Sequence, residues 1–430
     1  MNTLKLTKKY QTYPEYKDSG IEWLGKIPED WKVGKVKETF NLVKERSFNN
    51  SESEVLSLTL QGIKVRDVSN NEGQIASSYE GYRKIYKGDI VLNPMDLVRG
   101  FVDSSKLEGI ISPAYSTLRK KDIEINSDFY GYFFQKHYFE GIFYPFGNGV
   151  SVDHRWTLKD DTLINFPLIV IPKDQQQKIA TYLDEKTSLI DQTISKKQKL
   201  IELLREKRTA VINQVVTKGI DPEVKMKESG LPWVKKIPNS WKLLPNRSFL
   251  KRVKVFIGDR ISEFQLLSLT KTGVIIRDVS ESKGKFSVDM SIYQVVKPGN
   301  LIFCLFDIQE TPRTVGLAKD HGMITGAYTV FENKDLNLMR YIEYFYIAMD
   351  NGKRLSYLYT GLRNTIPPSR FLSIKTPIPP EEERDKIINF LDDELKRIDE
   401  ILNKVEKSIQ LLQEFKSSLI SNVVSGKVKI

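Results

Sequence analysis

Lys17-Asp18-Ser19-Gly20-Ile21-Glu22-Trp23-Leu24-Gly25-Lys26-Ile27-Pro28-Glu29-Asp30-Trp31-Lys32 returns 210 residues later as Lys227-Glu228-Ser229-Gly230-Leu231-Pro232-Trp233-Val234-Lys235-Lys236-Ile237-Pro238-Asn239-Ser240-Trp241-Lys242. Solenoid repeats recur every ~20–50 residues, so a period this long duplicates whole domains. The echo continues outward. Leu56-Ser57-Leu58-Thr59 returns as Leu267-Ser268-Leu269-Thr270, and Arg66-Asp67-Val68-Ser69 as Arg277-Asp278-Val279-Ser280. Lys87-Gly88-Asp89-Ile90-Val91 aligns with Pro298-Gly299-Asn300-Leu301-Ile302, and Ala114-Tyr115 with Ala327-Tyr328. Leu183-Asp184 and Ile190-Asp191 return as Leu391-Asp392 and Ile398-Asp399. The offset drifts only between 207 and 213. Between these anchors the halves differ. A shared framework with divergent filling predicts one fold carrying two specificities, suited to a pseudo-symmetric partner.

The 430-residue chain exceeds one ordinary core and fits two to four domains. Its 40% hydrophobic content is that of a globular protein. No apolar run is long enough to span a bilayer, and Met1 to Tyr10 carries no signal-peptide core. The single cysteine, Cys304, excludes an internal disulfide and a cysteine-rich metal site. Its apolar neighbours predict a buried strand thiol. These features together predict a cytoplasmic protein. A net charge of +11 suits a polyanionic partner, because basic side chains on phosphates release condensed counterions. Acidic residues are also plentiful, so charge alone does not decide the partner.

Two blocks, near 31–170 and 241–380, are rich in Val, Ile, Tyr and Phe and punctuated by Gly, Asn and Pro. They predict short strands and loops, with a helix near Asp128–Glu140. The blocks near 174–217 and 381–425 lack Pro and, up to Ser425, Gly. In the later one Leu391, Leu395, Ile398, Leu402, Val405, Ile409, Leu412, Leu419 and Val423 alternate steps of three and four, with Lys416 the break. In the earlier one Leu183, Ile190, Ile194, Ile201, Leu204, Val211 and Val215 occupy the matching slots, with Thr187, Lys197 and Arg208 as polar interruptions. This is a heptad seam, and each helix reaches about 60–65 Å. Pro172 and Pro380 precede the helices, and Gly219 and Gly426 follow them. The simplest partner for each seam is the other.

The run Gly219-Ile220-Asp221-Pro222-Glu223-Val224-Lys225-Met226-Lys227-Glu228-Ser229-Gly230, continuing to Trp233, Ile237-Pro238 and Trp241, resembles the specificity (S) subunits of type I restriction–modification systems. The copy from Asp18 to Trp31 and the helix start Pro172-Lys173-Asp174-Gln175-Gln176-Gln177-Lys178-Ile179-Ala180 carry the same resemblance, which spans essentially the full length. The family usually has a Glu-Gln pair near the helix start; this chain has Gln175-Gln176 in one half and Glu383-Arg384 in the other. The resemblance implies an α+β protein with an internal pseudo-two-fold repeat. Two target-recognition domains would be separated by two long antiparallel coiled-coil helices. The implied domains are 1–170 (N-terminal segment and first recognition domain), 171–220 (first long helix), 221–378 (linker repeat and second recognition domain) and 379–430 (second long helix). Each head would read one half of a bipartite double-stranded DNA target. The helices would act as a ruler for the unread spacer and dock two modification (methyltransferase) subunits, joined by restriction (motor-nuclease) subunits. S-adenosylmethionine, ATP and magnesium are expected on those partners and no cofactor in this chain.

No catalytic signature is present. There is no Gly-x-x-x-x-Gly-Lys-Ser/Thr loop and no Gly-x-Gly-x-x-Gly. Asn93-Pro94-Met95-Asp96 lacks the aromatic that would stack on an extruded base. His137, His154 and His321 show no metal-ligand spacing. Arginine pairs bidentately with guanine, so DNA-binding candidates come from the basic residues of the heads. These are Lys64, Arg66, Arg99 and Arg155 in the first and Lys271, Arg277, Arg313 and Arg363 in the second. Arg66 and Arg277 recur in both halves, each before an Asp, which suits framework or phosphate contact better than sequence choice. Two rival readings stand beside this one: a single-chain DNA-modifying enzyme, and a coiled-coil adaptor with peptide-binding heads.

Overall fold

The computed structural model describes residues 11–47, 54–67, 78–98, 100–149, 156–277, 290–361 and 363–430. Contacts divide the chain into two compact units, one of Met1–Lys197 with Lys407–Ile430, the other of Gln198–Glu406. The division falls inside the two long helices, so each helix gives one stretch to each unit. Among the described residues four helices exceed eight residues: α1 (Ser127–Phe139), α2 (Lys173–Lys218), α3 (Leu336–Asn351) and α4 (Glu381–Val424). The long helices match the expected blocks to within a residue or two, and α1 matches the expected helix.

The first unit is built on a four-stranded antiparallel sheet in the order Phe40–Leu42, Ser116–Lys120, Ile90–Leu92, Val102–Ser104. The second repeats it as Lys251–Val253, Thr329–Glu332, Leu301–Phe303, Val315–Leu317. In each unit a head helix packs on this sheet. Phe129, Tyr130, Phe133 and Phe134 of α1 are fully buried, as are Tyr341, Ile342 and Phe345 of α3. Cys304 is buried one residue beyond the strand Leu301–Phe303, and burial pushes its thiol pKa up. Paired strands close each head: Lys32–Lys35 with Pro167–Val170, and Lys242–Pro245 with Lys375–Ile378.

The heptad seam is present inside each unit. Leu183, Ile190, Ile201, Leu391, Leu395, Ile398 and Val405 are buried; Ile194, Leu204, Leu402, Ile409 and Leu412 are half-buried. Half-burial follows from a two-helix seam, whose flanks stay open to water. Two of the polar breaks pair across the seam. Lys416 Nζ pairs with Asp191 at 2.7 Å in the first unit, and Arg208 Nε with Asp399 at 3.5 Å in the second. Arg208 and Lys416 are equivalent by the 208-residue offset, as are Asp191 and Asp399. The helices therefore run antiparallel in one register in both units. Such partly exposed pairs add at most about 1 kcal/mol each, so they fix register more than stability.

The repeated Trp motif seals the point where one long helix ends and the other begins. Trp31 and Trp241 are fully buried. Trp31 Nε1 donates to Gln175 Oε1 at 2.8 Å, and Trp241 Nε1 donates to Glu383 Oε1 at 2.8 Å. Gly426 (φ +74°) ends α4 against Trp31; a Cβ there would lie 2.5 Å from Pro28 Cδ. Gly219 (φ +78°) ends α2 beside Trp241, where a Cβ would lie 3.0 Å from Glu383 Oε1. Both ends use the left-handed backbone that favours glycine, and at Gly426 the proline ring also leaves no room for a Cβ.

The next residue clamps the head helix. Gln176, buried, accepts from the Asn126 backbone N–H at 3.0 Å and donates to the Ile171 carbonyl at 2.9 Å. Asn126 in turn caps α1 by accepting from the Phe129 N–H at 3.0 Å. In the second unit Arg384, also buried, pairs with Asp335 at 2.8 Å, and Asp335 caps α3 by accepting from the Leu338 N–H at 2.9 Å. The returning Leu-Asp pairs serve the same clamp. Tyr132 Oη donates to Asp184 at 2.7 Å and Tyr344 Oη to Asp392 at 2.8 Å.

Candidate nucleic-acid interface

Among the described residues each head carries an equivalent two-stranded hairpin packed on its core. Leu56–Thr59 pairs with Gly62–Val65, and Leu267–Thr270 pairs with Gly273–Ile276, in one register: Thr59 faces Gly62 as Thr270 faces Gly273. The Thr hydroxyl closes the turn, donating to the glycine carbonyl at 2.9 Å in the first and 3.0 Å in the second. This is why Leu-Ser-Leu-Thr recurs. The leucines turn inward, and the threonine and a left-handed glycine flank the two-residue tip.

What the hairpins expose differs. The first presents Leu60, Gln61, Lys64 and Val65; the second presents Lys271, Thr272, Ile275 and Ile276. Lys64 Nζ donates to Gln61 Oε1 at 2.7 Å across the first tip. Lys271 takes the tip position that Leu60 holds in the first. Arg66 and Arg277 lie just past their hairpins and are half-buried. Their backbone N–H groups extend the ladder to Val55 and Leu266, both at 2.8 Å. The structure thus gives both arginines the same framework position. Arg99 and Arg155 lie outside the described residues.

Arg313 is half-buried, and desolvation lowers its pKa. Its guanidinium reaches the Lys271 carbonyl at 3.4 Å and Asn351 Oδ1 at 3.5 Å, bracing the hairpin tip against the end of α3. Beside it lies a groove of about 830 Å³. Two of its arginines are matched by carboxylates: Arg340 pairs with Asp392, and Arg208 with Asp399. Glu343, raised in pKa by burial, accepts from the Leu317 N–H at 2.8 Å. Lys271, Arg313, Lys319 and Lys396 line it as well.

Arg363 is different. Its side chain is 70% exposed, and it lies in a loop closed by the Thr360–Thr365 bridge. Its Nε donates to Asp307 Oδ1 at 3.0 Å, and its Nη2 pairs with Asp307 Oδ2. The guanidinium holds the Asp307 carboxyl below the usual carboxylate range. The Asp307 backbone N–H donates to the Arg363 carbonyl at 2.8 Å. Sequence reading named Arg363 but missed Asp307, 56 residues away; no spacing rule links them. Its one mark in the sequence is an Asp after an apolar strand, which is too common to select it.

No protein-family model matches the chain. Solved structures do match it. One is a chain from a study of complex assembly and conformational transition in the type I R-M system, with TM-score 0.67, 12% identity, 93% of this chain and 98% of that chain covered. Another is the HsdS subunit from Thermoanaerobacter tengcongensis, with TM-score 0.50, 12% identity, 94% of this chain and 98% of that chain covered. The chain has the HsdS fold. At 12% identity the likeness lies in architecture, and the sequence resemblance to S subunits adds to it independently. Among the described residues, no helix is long and apolar enough to cross a membrane. No group of three or more His, Cys, Asp or Glu among them could hold a metal ion.

Proposed function

We propose that this chain is the DNA sequence-specificity subunit of a type I restriction–modification complex. In this reading it is not itself an enzyme; each head binds one half of a bipartite target. The observation that carries it is the pair of hairpins: one register and one turn chemistry, with different exposed residues, in a chain matched along its length by the HsdS fold. A reader of two different half-sites needs this combination, since a common scaffold positions and variable side chains specify.

The long helices would dock two modification subunits, with restriction subunits joining them. Each helix leaves an equivalent leucine exposed, Leu203 at 49% and Leu411 at 52%, as two like docking points require. S-adenosylmethionine, ATP and magnesium would belong to those partners. The test is methylation sequencing of DNA from cells expressing this chain with its modification subunit. Exchanging residues 241–375 for the matching block of a related protein should change one half of the methylated sequence and leave the other. A change in both halves overturns the modular reading. Methylation or cleavage by the purified chain alone supports the enzyme reading instead.

A further inference from the structure

All three non-glycine residues with positive φ among the described residues converge on one loop cluster of the second head. They are Asp307 (+46°), Lys353 (+46°) and Asn364 (+44°). Lys353 Nζ donates to the carbonyls of Ile308 at 2.9 Å and Thr311 at 2.8 Å, and to Asp350 Oδ1 at 2.7 Å. It pins the loop that carries Asp307 to the end of α3. Asn364 follows Arg363, and its carbonyl faces the Ile308 N–H at 3.5 Å. Left-handed backbone at non-glycine residues costs free energy and persists where surrounding contacts over-determine it, often at functional sites.

What this cluster holds still is one guanidinium. Asp307 occupies its Nε and Nη2 edge, Phe306 lies beside it with the ring centroid 5.7 Å from Cζ, and the backbone hydrogen bond ties the two loops together. Nη1 and the outer side of Nη2 are left as a fixed fork on an exposed side chain. The adjacent carboxylate nearly cancels the arginine's charge, which is the wrong arrangement for a phosphate contact driven by counterion release. It is the right one for a directional reader, because the fork's orientation is set before binding and only a partner with two matched acceptors gains fully from it. In the major groove that partner is the O6 and N7 edge of guanine.

We propose that Arg363 reads a guanine in the half-site of the second head and that Asp307 is its positioning residue. This rests on the reading of the chain as a specificity subunit. The experiment uses the full chain assembled with its modification subunits, and duplexes carrying each base at each position of the methylated sequence. Arg363→Ala should lose about ten- to a hundredfold of the discrimination at one guanine of the second half-site and none elsewhere. Asp307→Asn keeps the fold, since Asn tolerates the left-handed region. It should weaken discrimination at that same guanine several-fold, although Asp307 touches no base in this assignment. It should also tighten binding to unrelated DNA and steepen the salt dependence, because a repelling charge is gone.

Uniform weakening across all duplexes with a flatter salt slope in Arg363→Ala would make this a phosphate contact and overturn the proposal. So would unchanged discrimination in Asp307→Asn. If the wild-type complex shows no sequence preference at all, the specificity-subunit reading fails before any variant is compared, and this proposal fails with it.

Discussion

At the first helix start, Gln175 and Gln176 receive the indole of Trp31 and the capped end of α1 through neutral amides. At the second, Glu383 receives Trp241 and Arg384 grips Asp335 through charge. The two junctions bury the same tryptophan, end on the same left-handed glycine and cap the same helix. What changed is the contact itself: Gln176 accepts from the backbone N–H of Asn126, whereas Arg384 pairs with the carboxylate of Asp335, whose own N–H donates to Asn333. Arg384 depends on its partner's side chain, because a buried arginine without a counter-charge is costly, whereas Gln176 needs only a backbone N–H. The departure at Glu383-Arg384 thus replaces a backbone contact with an ion pair to the capping Asp335. The lesson is that the clamp's place is shared while its chemistry differs.

The largest effect should come from the shared element. Trp31→Ala and Trp241→Ala should each cost about 3–5 kcal/mol, because each ring is wholly buried. Hydrogen exchange should show the loss in the unit that holds the changed residue. A large loss at one and a negligible loss at the other would break the equivalence.

Next comes the clamp. Arg384→Gln should cost about 2–3 kcal/mol, below the full penalty for a broken buried pair because Asp335 is partly exposed. Adding Asp335→Asn removes the carboxylate left without its cation while keeping the acceptor that caps α3, and should recover about 1 kcal/mol in a double-mutant cycle. If the double variant is no better than the single one, the Arg384–Asp335 charge pair is not what this clamp depends on.

A third test separates the units by pH. His137 is fully buried against Trp23, Phe133, Phe143 and Phe166, with Nδ1 2.6 Å from the Phe133 carbonyl. Burial pushes its pKa down to about 3 from 6.5. A lowered folded-state pKa gives stability that is present above the unfolded value and lost as pH falls from about 6.5 towards 3. Between pH 7 and pH 5 this amounts to about 2 kcal/mol, confined to the first unit. His137→Phe should remove this step from the acid limb of that unit's stability curve. An unchanged acid limb would show that other groups govern it.

The smallest effect should be Glu383→Gln. It gives the second junction the acceptor that Gln175 already supplies to Trp31, so stability should change by less than about 1 kcal/mol. A larger loss would mean that charge at this position does more than receive the indole.

The sequence alone determined the duplication, the long helices and their seam, because periodicity and end punctuation are local properties. Lys173–Lys218 and Glu381–Val424 end where proline and glycine said they would. It also marked Arg66 and Arg277 as suited to framework or phosphate contact, since each recurs. The tertiary structure decided what the breaks and charges are for. Lys416 and Arg208 read as flaws in an apolar stripe until the antiparallel register set them beside Asp191 and Asp399. Arg313 and Arg363 read alike in sequence, yet one is spent bracing Lys271 and the other is held outward by Asp307. An arginine's role depends on which carbonyl or carboxylate lies within about 3 Å of its fork. That neighbour is chosen by chain folding over tens of residues, where no local pattern reaches.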